Sequence, residues 1–135
     1  MTNVSKQQLT AEVGDKLRLQ LARIFDNVPL QKSKNLFEAL LSESEQIMLA
    51  KRLAVILLVH QKVSVSEIAK RVLVSDATVR ALRAQYKEGR YMPLISHCTS
   101  SSFDSHKFWQ TLEVVLRGGL PSRGKDRWRW VQSRP

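Results

Sequence analysis

Apolar side chains recur along this chain at intervals of three and four, the spacing that lines one face of a helix. From Asp15 to Phe25, Leu17, Leu21, Ile24 and Phe25 share a stripe, with Arg18, Gln20 and Arg23 opposite. Residues 1–14 read as a loose leader. Asn27 and Pro29 interrupt, and a second helix follows through Leu30, Leu36, Phe37, Leu40 and Leu41. Ser42-Glu43-Ser44-Glu45 has the spacing of a capping box and opens a helix over about 43–60. That helix is apolar almost all round, from Ile47 through Val59, so it must be enclosed on most sides and is predicted to be the central post of the fold.

The same cap recurs at Ser64-Val65-Ser66-Glu67, and Ser75 starts a further helix that runs to Glu88 and stops at Gly89. Residues 90–102 read as a polar connector, in which Ser96, Ser100, Ser101 and Ser102, with Ser105 beyond, form a loop cluster. A last helix from about Asp104 to Arg117 places Phe108, Leu112, Val115 and Leu116 on one face, with Trp109 in the core, and ends at Gly118-Gly119. The pattern predicts an all-α, multi-helix fold. Its domains are a leader (1–14), a helical domain (15–90), a connector with an extra helix (91–118) and a basic tail (119–135).

The most informative stretch is Val65 to Arg83. Ile68, Val72, Val74, Val79 and Leu82 lock two short helices together, and Ala69 is small enough for them to cross closely. This is the pattern of a helix-turn-helix whose second helix lies in the major groove. On that helix Val79, Leu82 and Tyr86 face the core, while Ala77, Arg80, Ala81 and Ala84 cluster opposite. An alanine-lined face approaches base edges closely, and a guanidinium fork pairs two acceptors of a guanine, worth about 1–3 kcal/mol of discrimination. Asp76, Ala77 and Arg80 are therefore the candidate base readers. Asp76 can accept from a cytosine amino group or simply favour the helix dipole. Ser66, Lys70, Ser75, Thr78, Arg83 and Lys87 are candidates for contacts to the DNA backbone, which position without specifying. One residue departs from the motif: Leu73 occupies the turn position usually held by glycine, where a left-handed leucine costs about 1–2 kcal/mol.

Charge strengthens this picture. The formal charge of +10 over 135 residues favours a polyanionic partner. It is uneven: residues 1–58 carry a net +2, and residues 59–90 and 91–135 each carry +4. Cys98 is the only cysteine, so no internal disulfide forms and a reducing, cytoplasmic setting is expected. The longest apolar run, Leu53 to Val59, is far short of the roughly 20 residues of a membrane span.

From Leu36 to Glu88 the chain resembles the Trp repressor superfamily, most closely its relatives without an established corepressor. The residues that carry the likeness are Leu36 to Glu45, then Leu49-Ala50-Lys51-Arg52, then Ser64 to Leu82. The resemblance implies an interlocked helical homodimer that represses transcription at palindromic operators. It places base-facing positions on Asp76, Ala77 and Arg80. It also aligns the recognition-helix arginine that holds tryptophan with Ala81, and a second corepressor arginine loosely with Lys51 and Arg52. Without a guanidinium at Ala81 a tryptophan carboxylate loses its donor, so no cofactor is expected and tryptophan is not expected as corepressor. A dimer also follows physically. Two recognition helices roughly 34–36 Å apart match one DNA turn, and the helices at 15–25 and 29–41 gain a partner to bury against.

Other chemistry finds less support. His60, His97, His106 and Cys98 lack the paired spacing of a zinc site. No glycine-rich phosphate loop or nucleophile constellation stands out, so an enzyme is not expected. In the tail, Arg123, Lys125, Arg127 and Arg129 interleave with Trp128 and Trp130 and are accessory nucleic-acid candidates. Two other readings stay open: the DNA-binding part of replication, transposition or sigma-like machinery, and an RNA or single-strand binder centred on the tail.

Overall fold

The computed structural model describes residues 10–118, which form seven helices with no strand among them. The chain divides into two compact units at residues 43 and 44. The tail candidates Arg123, Lys125, Arg127 and Arg129 lie outside the described residues.

The first unit contains α1 (Ala11–Arg23) and α2 (Leu30–Leu40). α1 starts four residues earlier than the sequence pattern suggests, so residues 11–14 are helix rather than leader. The cause is local: the Thr10 side chain accepts from the Val13 amide at 3.3 Å and caps the first turn. Asn27 adopts a left-handed conformation (φ 52°) and Pro29 precedes α2, which together redirect the chain between the helices. Exposed i,i+4 pairs, Lys16–Glu12 at 3.1 Å and Lys34–Glu38 at 3.0 Å, add only tenths of a kcal/mol each. Of the described residues in this unit only Gly14 is buried. Leu17, Leu21, Ile24, Phe25, Phe37 and Leu40 remain exposed.

The second unit holds α3 (Glu43–His60), α4 (Val65–Val72), α5 (Asp76–Lys87), α6 (Met92–Ser100) and α7 (Ser105–Leu116). α3 is the post of the core only in its second half. Ala54, Val55, Ile56, Leu58 and Val59 are buried, whereas Met48 and Leu49 near its start are exposed. Ile68, Ala69 and Val72 of α4 and Val79 and Leu82 of α5 join this core, with Val63, Val74 and Tyr86 half-buried against it. Fully burying an aliphatic side chain contributes about 1.5–3 kcal/mol, so these few residues hold the helix pair in place.

Residues 92–100 form a helix, not a polar connector. Pro93 falls in the first turn, where its missing amide removes no helical bond. The hydroxyls of Thr99 and Ser100 both donate back to the Ser96 carbonyl, at 2.9 and 2.8 Å. Tyr91 and Ile95 tie this segment to the core, and Trp109 and Leu112 of α7 complete it. The DNA-binding domain expected at 15–90 is therefore split near residue 43, and its second part draws on residues beyond 90.

Three left-handed turns close α3, α4 and α5, at Lys62 (φ 62°), Leu73 (φ 59°) and Gly89 (φ 83°). In each, the amide one residue past the turn reaches back five residues: Val63 to the Leu58 carbonyl, Val74 to Ala69, Arg90 to Gln85. These bonds satisfy carbonyls that the helix ends leave open. Only one of the three uses glycine. Leu73 takes the strained conformation directly. Its carbonyl accepts from Lys51 Nζ at 3.2 Å, and the amide of Val74 next to it is bonded to α4.

Candidate nucleic-acid interface

α5 is presented by its own cap and by the packing beneath it. Ser75 Oγ accepts from the Thr78 amide at 3.1 Å and so fixes where the helix starts. Val79 is fully buried and Leu82 nearly so, which turns the opposite side of α5 to solvent. Ala77, Arg80, Ala81 and Ala84 are all exposed there. The alanine ridge with its single guanidinium is thus an open surface of the described chain.

Arg80 lies 3.7 Å from Asp76 across one helical turn, with both side chains more than half exposed. Screened at this exposure, the pair is worth tenths of a kcal/mol. It restrains the guanidinium beside the helix start without removing it from solvent. The carboxylate also offsets the charge of Arg80, so the ridge carries little net charge.

The flank is different. A cleft of about 670 Å³ opens between the α3–α4 turn and α5. Lys62, Arg80, Arg83 and Lys87 line it against the single carboxylate of Asp76, with Ser64 and Ser66 from the start of α4 and the Tyr86 ring on its wall. Among the described residues no ion pair engages Lys62, Arg83 or Lys87. The first amides of α4 have no acceptor inside the helix, so they add a partial positive charge at the same place. Tyr86 is fixed from outside the cleft: its hydroxyl meets His60 Nδ1 at 2.9 Å, with the two rings edge to face.

The structure distributes the remaining backbone candidates unevenly. Ser66 lines the cleft, and Lys70 is exposed one turn further along α4. Ser75 and Thr78 pair with each other, hydroxyl to hydroxyl, at 2.8 Å. One of the two hydroxyl protons is therefore spent inside the protein, leaving one of the pair for an outside acceptor. Lys51, loosely aligned with a corepressor arginine, instead bridges to the α4–α5 turn. Lys62 is the residue that sequence reasoning passed over. Its signal was faint: a lysine at a helix end where a glycine break is usual.

Residues 49–94 match a family model described as a homeodomain-like domain. That span covers most of α3, all of α4 and α5, and the first residues of α6. The unit around the cleft is a helix-turn-helix DNA-binding fold. No curated protein and no solved structure matches the chain. No helix among the described residues is long and apolar enough to cross a membrane.

Proposed function

We propose that this protein is a cytoplasmic, sequence-specific regulator of transcription, a repressor rather than an enzyme, which binds duplex DNA as a homodimer with α5 in the major groove. The observation that carries this reading is the exposed ridge of Ala77, Arg80, Ala81 and Ala84 beside a cationic flank. Alanine methyls permit close approach and suit thymine methyls, Arg80 forks to guanine, and Asp76 accepts from a cytosine amino group. Arg83, Lys87, Ser66 and Lys70 hold the sugar–phosphate strand on either side.

The dimer is supported by α1 and α2, on which Leu17, Leu19, Leu21, Phe37 and Leu40 stay exposed although the helices are amphipathic. A second copy is the partner that fits a palindromic site. The likeness to the Trp repressor superfamily supports the repressor role. It does not extend to tryptophan as corepressor, because Ala81 offers no cation for a ligand carboxylate.

Selection of bound duplexes from random DNA tests the whole reading. The expected outcome is a two-fold symmetric consensus with half-sites about one helical turn apart. Enrichment of single strands, or of no sequence at all, refutes it. Deleting residues 118–135 leaves duplex selectivity in place if α5 is the reader, whereas loss of all binding moves the activity to the tail. Leu17→Glu with Leu21→Glu converts the dimer to monomer in sedimentation.

A further inference from the structure

Three observations converge on Lys62. It occupies a left-handed turn with φ 62°, a conformation that glycine adopts freely and a lysine does not. It lines the cleft between the α3–α4 turn and α5 together with Arg83 and Lys87. All three cations lack ion pairs among the described residues, while Arg80 alone has Asp76. Strain by itself assigns nothing, since Leu73 carries the same conformation outside the cleft. At Lys62 the strain coincides with charge and with a concave surface, and residues held in costly backbone conformations gather at functional sites.

We propose that Lys62 is kept in its strained turn to complete a three-cation grip, with Arg83 and Lys87, on one phosphodiester of the DNA strand beside α5. This rests on the reading of α5 as the helix that enters the major groove. The grip draws on two elements: Arg83 and Lys87 move with α5, whereas Lys62 belongs to the end of α3. A phosphate held between them fixes the depth and tilt at which α5 enters the groove, which no cation on α5 alone achieves. Arg80 and Asp76 line the same cleft, but their ion pair offsets the guanidinium, which leaves Lys62, Arg83 and Lys87 as the cations of the grip.

The test uses the full chain, the duplex selected from random DNA and a random-sequence duplex, titrated across a salt series, with thermal unfolding of each variant. Lys62→Gly is expected to unfold at a higher temperature, because glycine relieves the turn, and yet to bind both duplexes about three- to tenfold more weakly. The slope of log affinity against log salt becomes shallower by about 0.9, the signature of one lost phosphate contact. Lys62→Gln removes the charge and keeps a side chain in the turn, so it repeats the loss of affinity and slope with an unchanged unfolding temperature. Lys62→Arg restores both. An unchanged salt slope in Lys62→Gly and Lys62→Gln overturns the grip, and a fall in the unfolding temperature of Lys62→Gly overturns the claim of strain. Wild-type protein that binds no duplex sinks the groove-reading assignment and the grip with it. Wild-type binding with indifferent Lys62 variants sinks the grip alone.

Discussion

Replacing Arg80 by alanine separates base reading from folding, because the structure assigns this side chain almost no structural work. Its one ion pair among the described residues, to Asp76 at 3.7 Å, is exposed on both sides and spans one helical turn. Such pairs contribute about 0.3–0.5 kcal/mol, and alanine's higher helix propensity returns part of that. The unfolding midpoint should therefore move by no more than about 2–3 °C, given about 4–8 °C per kcal/mol for a domain of this size. Discrimination at one base position is another matter. A bidentate arginine–guanine pair is worth about 1–3 kcal/mol, or roughly 5- to 150-fold in relative affinity. The assay is competition between the selected duplex and versions altered at single positions. Arg80→Ala should flatten the ranking at one position per half-site and leave the others intact. Arg80→Lys should keep the charge, and so the salt slope, but lose the fork and with it most of the ranking. If Arg80→Lys preserves the full ranking, or Arg80→Ala weakens every duplex equally, Arg80 is a phosphate contact and the ridge does not read bases.

The other predictions concern caps, turns and charge. Ser75→Ala should cost about 1 kcal/mol by removing the cap of α5, whereas Ser75→Gly should cost only a few tenths, measured by denaturant unfolding; equal costs would show that the hydroxyl pair with Thr78 matters more than the cap. Lys51→Met should destabilise by about 1 kcal/mol and speed amide exchange at Val74, since it deletes the hydrogen bond to the Leu73 carbonyl. Raising salt should weaken binding to every duplex while the ratio of selected to random sequence holds or widens, and a shrinking ratio would contradict a near-neutral reading ridge. Burial pushes the Cys98 thiol above its ordinary value. Less thiolate is then present at any given pH, so alkylation of the native protein at neutral pH should be slower than for free cysteine and should accelerate only in more alkaline solution.

What was legible in the sequence was what local chemistry decides. The bounds of α4 and α5 follow from two serine caps and an apolar spacing that closes within twenty residues, and the structure has both caps in place. α6 was hidden for the opposite reason. The serines of residues 90–102 read as a polar connector, but Pro93 sits where a helix tolerates it. Tyr91 and Ile95 are drawn in by a core made largely of residues distant in sequence. The start of α1 was missed because one threonine decides it. The exposure of Met48 and Leu49 lay beyond a pattern that is apolar all round and carries no sign of which turns are covered. The ridge on α5 was readable, since periodicity alone separates Val79 and Leu82 from Ala77 and Arg80. The cleft was not, because Lys62 reaches it only through a turn whose handedness no periodicity encodes.

On the proposed reading, that turn also accounts for how one short motif keeps specificity and attraction apart. Arg80 and Asp76 cancel on the ridge, and the alanines around them carry no charge, so the surface that would touch bases adds little to attraction for phosphate at large. Among the described residues the cations without an ion pair, Lys62, Arg83 and Lys87, line the cleft together with that Arg80–Asp76 pair. On that reading, long-range attraction comes from these cations and is indifferent to sequence, while ranking comes from contacts that form only at full depth in the groove. A ridge bearing several free cations would bind any duplex more tightly and discriminate less, since phosphates everywhere would compete for the side chains that must meet a base. The carboxylate of Asp76, which looks misplaced on a surface built for a polyanion, on this account takes Arg80 out of the general attraction for phosphate.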